Sequence, residues 1–157
     1  MHPKRSPPYL PVNRLLLSAA TVILLLGVYT AQQRSGYRYS GSDMYEAGMA
    51  NGARYALAKG GLVLDATLSA CARRHSEAMA RYGSPYHSSD TSIRGCKQGG
   101  STVGENVGSG GTLGSIFQAM LRSRSHRDNI LCRCFRRLGV GLSRRGGLWY
   151  ITQEFWG

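Results

Sequence analysis

Acidic residues are scarce in this chain of 157 residues, in which eight Asp and Glu stand against 20 Lys and Arg. The resulting net charge of +12 favours polyanionic partners, because its field attracts them over long distances. The chain also lacks a G-x-S-x-G sequence, which argues against the nucleophile elbow of a serine hydrolase. No internal repeat is present, which excludes a repeat architecture, and the length allows one domain with one core.

The N-terminal segment, residues 1–31, carries three cations and no acid, and it contains the apolar run Leu15–Val28. This run of 14 residues falls between the length of a secretory signal and that of a membrane span. We therefore leave open whether the segment is a cleaved signal peptide or an uncleaved signal anchor, in which residues 15–31 hold the protein in the membrane. Both alternatives place residues 32–157 outside the cytoplasm, in a periplasmic or extracellular location.

Export makes the four cysteines informative, because disulfides persist in oxidising compartments. Cys71, Cys96, Cys132 and Cys134 form an even set, which predicts two disulfides. A bond between Cys132 and Cys134 would close a very tight ring, so we expect Cys71 and Cys96 each to pair with one member of the C-x-C. Which member each takes stays open, and a zinc site built from these cysteines is the alternative.

Positive charge is concentrated near the C-terminus, where residues 122–145 contain a single acid, Asp128. The arginines of this segment are Arg122, Arg124, Arg127, Arg133, Arg136, Arg137, Arg144 and Arg145. We predict that Arg124, Arg127, Arg136 and Arg137 form an anion-binding surface for an anionic lipid, lipopolysaccharide or cell-wall polymer. The alternative is that they only solubilise the protein. Export argues against a nucleic-acid partner, and Phe135 is the one aromatic residue among these arginines, too few for a platform on which successive bases stack.

Apolar residues at helical spacing predict three helices after a polar linker over residues 32–41. The first is expected over 42–58, with Ser42 as N-cap and with Tyr45, Met49 and Ala53 on its apolar face. The second follows Asp65 and ends before Gly83, the third spans 112–124, and one short turn is expected over 126–131.

Three strands are indicated as well. Residues 102–107 predict a short strand that follows a long loop over 83–101, and Gly146-Gly147 predicts the turn of a hairpin formed by 138–142 and 148–156. Both faces of the last strand carry large apolar side chains, so we expect helices to cover the sheet on both sides.

Several short motifs occur in a fixed order along the chain. They are Asn51 with Arg54, Leu64-Asp65-x-x-Leu68, His87, Gly104-Glu105-Asn106, Ser125-His126-Arg127-x-Asn129, Gly139-Val140-Gly141 and Trp149-Tyr150-Ile151-Thr152-Gln153. In this order they resemble the CAP superfamily of cysteine-rich secretory, antigen 5 and pathogenesis-related class 1 proteins (SCP-like domains), and its short bacterial branch in particular. The resemblance implies an α+β domain over residues 42–157, an α-β-α sandwich with a largely antiparallel central sheet.

The resemblance also implies a cleft formed by His87, Glu105 and His126. These are the candidate catalytic residues and the candidate ligands of zinc or another divalent cation, with Glu105 as a third ligand or as an acceptor that orients a histidine ring. The second acid of longer relatives falls at Ser123, so only three of the four family residues are expected here. We interpret His75 as a structural histidine and Glu154 as an exposed charge at the sheet edge.

For function we prefer a non-catalytic, exported binding module of the cell envelope that takes an anionic or lipidic ligand. The family is implicated in binding lipids, and the arginine-rich segment favours an anionic partner. The alternative is a metal-dependent hydrolase that acts on peptide or cell-wall material at the cleft of His87, Glu105 and His126.

Overall fold

The computed structural model describes residues 36–89, 96 and 102–157, and it carries no ligand. The predicted signal segment 1–31 and most of the predicted loop 83–101 lie outside the described residues. Within the described ranges, no helix has the length and apolarity needed to cross a membrane. The helices are α1 (Gly41–Tyr55), α2 (Ala66–Tyr82), α3 (Leu113–Arg122) and α4 (Arg124–Leu131); the strands are β1 (Val63–Leu64), β2 (Val103–Gly110), β3 (Arg137–Arg145) and β4 (Leu148–Trp156).

The strands form one sheet in the order β1-β3-β4-β2. Only the short β1 is parallel to its neighbour β3, whereas β3 with β4 and β4 with β2 are antiparallel. Leu138, Val140 and Leu142 of β3 belong to the main core with residues of α1 and α3, while Gly139 and Gly141 meet α2. Successive side chains of a strand point to opposite faces, so the sheet lies between two helical layers, and the expected α-β-α sandwich is confirmed.

Helix α2 and the last hairpin follow the sequence pattern closely. Asp65 is the N-cap of α2 and accepts a hydrogen bond from the Leu68 amide, and Gly83 ends the helix in the left-handed conformation at φ 89°. Gly146 and Gly147 have φ angles of 57° and 81°, which a two-residue hairpin turn requires. Strand β4 is buried on both faces, as expected from its composition.

Helix α1 corrects two expectations. Its N-cap is Ser40 rather than Ser42, and Ser40 forms a reciprocal capping box with Asp43. Its buried face carries Glu46 and Arg54 together with small residues, whereas Tyr45, expected in the core, is 56% exposed. Polar groups of the sheet and of α4 lie opposite the buried face of α1. They form hydrogen bonds with charged side chains that the helical spacing of apolar residues would place on the solvent-exposed face.

Arg54 shows how such a side chain is accommodated. Although it is 2% exposed, its guanidinium donates to the carbonyl oxygens of Gly60 at 2.7 Å, Ile130 at 2.9 Å and Cys132 at 2.8 Å. A further bond goes to the Lys59 carbonyl at 3.2 Å. These acceptors lie at or after the C-terminal ends of α1 and α4, where carbonyl groups lack partners within the helix. One buried cation thus fixes two helix ends against each other.

The region from β2 to α4 differs from the predicted pattern in two ways. Strand β2 continues through Gly108 to Gly110. Glycine is needed at both positions because α3 packs close to the strand, and a Cβ on either residue would lie 2.9 Å from the Ile116 side chain. The predicted third helix ends at Arg122, where Ser123 turns to an extended conformation, and the expected short turn is instead the eight-residue helix α4.

The disulfide connectivity differs from the predicted one. Two disulfides are present, as predicted, but they join Cys71 to Cys96 and Cys132 to Cys134. The expected pairing across the two groups is therefore wrong. Cys71 of α2 and Cys96 have a Cα–Cα distance of 6.2 Å, and the turn between α4 and β3 brings Cys132 and Cys134 to a Cα–Cα distance of 5.2 Å.

We expect Gly141→Ala to destabilise the fold strongly. A Cβ at this position would overlap the backbone of α2 at Ala72, and backbone cannot move aside as a side chain can. The free energy of unfolding should fall by about 3 kcal/mol or more, or the variant should not fold. Gly48→Ala is the matched control, because Gly48 is an exposed residue within α1 with open space around it. There, urea unfolding should show a gain of about 0.5–1 kcal/mol. Equal effects of the two substitutions would contradict the close approach of α2 to the sheet.

Candidate functional site

Glu105 is the centre of the first candidate site, and its side chain is only 4% exposed. One carboxylate oxygen lies 2.7 Å from His87 Nδ1 and accepts from the Ser88 amide at 3.0 Å. The other accepts from the Ser88 hydroxyl. The structure therefore brings two of the three predicted cleft residues together. Ser88 bonds the carboxylate rather than a histidine, so it is not part of a Ser-His pair.

His126 lies on α4 and joins this site less directly. Its backbone carbonyl accepts from Asn106 Nδ2 at 3.0 Å, which fixes the start of α4 beside β2. Burial and the nearby His87 lower the pKa of His126, so its neutral form is favoured. In the described part of the chain, no hydrogen bond links its ring to His87 or Glu105. The three predicted residues thus lie near one another, but no single contact joins all three.

A buried chain of side-chain hydrogen bonds positions these elements. Gln153 of β4 donates to Glu46 of α1 at 2.8 Å, and its amide oxygen accepts from Asn106 at 3.0 Å. Asn129 of α4 donates to the Asn106 side-chain oxygen at 2.9 Å and to the Glu105 carbonyl at 3.2 Å. Asn106 faces this chain while its neighbour Glu105 points to the opposite face of β2, because side chains alternate along a strand.

Glu154 is a site residue that the sequence interpretation missed. We expected an exposed charge at the sheet edge, but the residue is 4% exposed and lies opposite Glu105 in the β2–β4 register. Burial, followed by the charge of Glu105 and a hydrogen bond with it, raises the pKa of Glu154 to about 8. The raised pKa favours the protonated form of Glu154 beside Glu105. A second carboxyl group therefore lies beside Glu105, but it comes from β4 and not from position 123, where longer relatives have their second acid.

His75 completes the surroundings of this carboxyl pair. Its Nε2 lies 2.7 Å from the Tyr86 carbonyl oxygen and 3.9 Å from Glu105 Oε2. The first contact fits the structural role that we predicted, because it holds the start of the 83–101 loop against α2. A small cavity of about 140 Å³ lies beside it. It is lined by Cys71, Arg74, His75, Ser88, Cys96 and Glu154.

The described residues do not fit a three-ligand metal site. Among residues 36–89, 96 and 102–157, no group of three or more His, Cys, Asp or Glu side chains is placed to hold a metal ion. The Glu105 oxygens are taken up by His87 and Ser88, so this carboxylate orients the His87 ring and is not itself available as a ligand. Of the three predicted residues, His87 Nε2 and the His126 ring are left as donors, whereas zinc sites ordinarily have three or four protein ligands. Binding of zinc or another divalent cation stays a prediction.

A second candidate site is an open groove of about 350 Å³ between β2 and α3. Its lining residues are Val107, Gly108, Ser109, Gly110, Ser115, Ile116, Ala119, Met120, Ser123 and His126. Ile116, Ala119 and Met120 form an apolar wall, and Ser123 and His126 form a polar end. The two strand glycines let Ile116 of α3 approach β2 closely at the base of this groove.

The arginines predicted to bind anions have separate environments. Arg137 pairs with Asp65 at 2.9 Å and stacks on the Trp156 ring, and Arg136 donates to the Arg133 carbonyl. Arg127 donates to the Leu121 carbonyl at the end of α3. Arg124 is 90% exposed, with a 3.7 Å contact to Asp128, which is itself exposed. Three of the four therefore have structural partners, and Arg124 is the one most available to a ligand.

Comparison with known proteins agrees with the fold. The model of the cysteine-rich secretory protein family, CAP, matches residues 47–156. Because this match covers more than half of the chain, the protein belongs to the CAP family.

Three relatives define the likeness further. The uncharacterized protein YkwD of Bacillus subtilis (strain 168) is 35% identical over 107 residues, which are 61% of this chain and 39% of YkwD. An extracellular SCP-domain protein of Bacillus anthracis str. Ames is 27% identical with a TM-score of 0.65, over 74% of this chain and 40% of that one. An outer surface protein of Borrelia burgdorferi shares the fold at 18% identity and a TM-score of 0.68, over 76% of this chain and 95% of that one. This chain thus spans about two-fifths of the two Bacillus proteins.

We expect Glu46→Gln to change how stability depends on pH. Burial raises the pKa of Glu46 from 4.5 to about 7, so the folded state binds a proton that the unfolded state has released between these values. Stability of the wild type should therefore fall as pH rises from about 4.5 towards 7. Gln cannot ionise, so between these pH values the free energy of unfolding of the variant should fall less than that of the wild type, by on the order of 3 kcal/mol.

Urea unfolding of both proteins at a series of pH values measures the difference. Glu154→Gln is the matched comparison, because Glu154 should add a decline of the same sign that extends towards pH 8. A difference between wild type and Glu46→Gln that stays constant from about pH 5 to about pH 8 would contradict the raised pKa.

Proposed function

We propose that this chain is an exported, non-catalytic binding module for an anionic amphiphile whose apolar chain lies in the groove between β2 and α3. The observation that carries the proposal is the shape and lining of that groove. Its volume of about 350 Å³ lies within the range of small-molecule sites. An apolar wall and a polar end suit a ligand that has an acyl or similar tail and a polar head.

Charge supports the choice of an anionic head group. Ser123 and His126 line the polar end, and their chain neighbours are Arg122, Arg124 and Arg127. This end of the groove is therefore flanked by cations, and the whole chain carries a net charge of +12. The source of such a ligand would be an anionic lipid, the lipid part of lipopolysaccharide or a lipid-linked cell-wall polymer.

The arrangement of the carboxyl pair supports a binding role over catalysis. Glu105 is held by His87 and Ser88, and its hydrogen bonds fix the chain at 87–88. The relatives support export, because one is an extracellular protein and another an outer surface protein. The alternative of a metal-dependent hydrolase gains support from one observation only, the protonated Glu154 beside Glu105, which resembles the acid–base pairs of hydrolytic sites.

The groove is tested by filling it. Ala119 is an exposed residue on its wall, so Ala119→Trp should leave the fold intact and should occupy the space of a ligand tail. Ala56→Trp places the same side chain at an exposed position after α1 and serves as the control. We expect Ala119→Trp to weaken binding of monomeric lysophosphatidylglycerol by about tenfold or more, measured by calorimetry, and the control to bind as the wild type does.

Two further results separate the alternatives. Binding should weaken steeply as salt is raised and should be reduced in Arg124→Gln, because the head group is anionic. Equal affinity of Ala119→Trp and Ala56→Trp would contradict the groove as the binding site. Metal-dependent hydrolysis of peptide or cell-wall material that is abolished by His126→Ala would favour the hydrolase instead.

A further inference from the structure

The Cys132–Cys134 disulfide differs from the other disulfide in the length of chain that it closes into a ring. It joins residues two apart, between the end of α4 and the start of β3, whereas Cys71–Cys96 closes a separation of 25 residues. The loss of chain entropy that a disulfide imposes on the unfolded state grows with the length of the loop. The shorter link therefore stabilises the fold little, and a structural role does not explain it.

The two disulfides also differ in access. Cys134 is exposed and Cys132 is half-buried, whereas in the other disulfide Cys71 is 8% exposed and Cys96 is half-buried. Thiol–disulfide exchange requires a thiolate to approach one sulfur in line with the bond, so an exposed sulfur reacts faster. The exposed Cys134 offers such an approach, whereas the other disulfide has only the buried Cys71 and the half-buried Cys96.

The surroundings of Cys132 suit it as the sulfur that leaves. Its Sγ accepts a hydrogen bond from the Cys134 amide at 3.1 Å, which would persist for a thiolate. Arg54 donates to the Cys132 carbonyl, and Arg133 and Arg136 are its exposed neighbours in the chain. Nearby cations stabilise a thiolate and attract an anionic reagent. Arg74 donates to Cys71 Sγ at 3.0 Å and so supplies a cation at the other disulfide as well, which leaves access and loop length as the features that distinguish Cys132–Cys134.

The turn does not depend on its disulfide to keep its place. Phe135 is 3% exposed and packs on Phe155, and the Arg136 amide donates to the Trp156 carbonyl at 2.8 Å. Arg54 holds the Ile130 and Cys132 carbonyls from the other side. Opening the disulfide should therefore leave the fold intact and both sulfurs near each other.

We propose that Cys132–Cys134 is a reversible exchange site for anionic low-molecular-weight thiols. The thiolate of such a thiol attacks Cys134 Sγ, a mixed disulfide forms there, and Cys132 leaves as a thiolate. A second thiol attacks the mixed disulfide on the sulfur of the first. The protein then holds two thiols, and the two reagent molecules have become one disulfide, so two electrons have passed to the protein. The reverse sequence restores the bond.

The test uses the oxidised full chain and glutathione as the probe. After timed exposure, free thiols are alkylated and each cysteine is quantified by peptide mass spectrometry. We expect Cys132 and Cys134 to be reduced about tenfold faster than Cys71 and Cys96, or more, while the far-ultraviolet circular dichroism stays unchanged. Adding oxidised glutathione should restore the bond. Reduction of both pairs at one rate, or of Cys71–Cys96 first, would overturn the proposal.

Single variants test which sulfur is attacked. Cys132→Ser leaves only the exposed Cys134, and Cys134→Ser leaves only the half-buried Cys132, so the pair forms a matched comparison. With oxidised glutathione, and with each rate divided by the measured thiolate fraction of the remaining cysteine, Cys132→Ser should take up the mixed disulfide about fivefold faster or more. Equal rates, or faster uptake by Cys134→Ser, would contradict attack at Cys134. The wild-type measurement decides the main question even if a variant does not fold.

Discussion

A buried chain of hydrogen bonds from Glu46 through Gln153 and Asn106 to Asn129 is the interaction on which the remainder of the structure depends. It passes from α1 through β4 and β2 to α4, and so it crosses the joint between the sheet and one helical layer. Asn106 uses its side-chain amide to donate to both Gln153 and the His126 carbonyl. A buried polar group that loses its partner is costly, so each element is held at the position where the chain of bonds closes.

The same constraint places both candidate sites. With Asn106 turned towards α4, Glu105 must face the opposite side of β2, where His87, Ser88 and Glu154 meet it. The bond from Asn106 to the His126 carbonyl sets the start of α4, and with it the polar end of the groove.

Polar bonds align the second helical layer with the sheet as well. On the face that α2 covers, the Ser76 hydroxyl bonds the Gly141 carbonyl at 2.8 Å and the Thr152 hydroxyl at 2.9 Å. Both helical layers are therefore held in register by buried polar groups, and apolar packing fills the space between them and the sheet.

Sequence patterns predicted those helices and turns whose ends are determined by residues close together in the chain. Asp65 and Gly83 mark the ends of α2, and Gly146-Gly147 marks the hairpin, because capping and positive φ angles need particular residues at particular positions. The order of weak motifs was enough to identify the family and to bring His87 and Glu105 into one site.

The features that the sequence did not reveal are those that depend on partners distant in the chain. Glu46 and Arg54 look like solvent-facing charges in a helix, and Glu154 looks like an edge charge until the β2–β4 register places it opposite Glu105. The disulfide pairing failed for a similar reason, because ring size alone excluded Cys132–Cys134 and spacing does not place Cys96 over α2.

The most direct test of the central role of the buried chain is a double-mutant cycle between Asn129→Ala and Gln153→Ala. Both of these side chains bond Asn106, one on each side of it. If the chain acts as one unit, the first loss already weakens the bonds that the second would remove. The double variant should then lose less stability in urea unfolding than the two single variants combined, by about 1 kcal/mol or more. Additivity within about 0.5 kcal/mol would show independent bonds and would contradict this account.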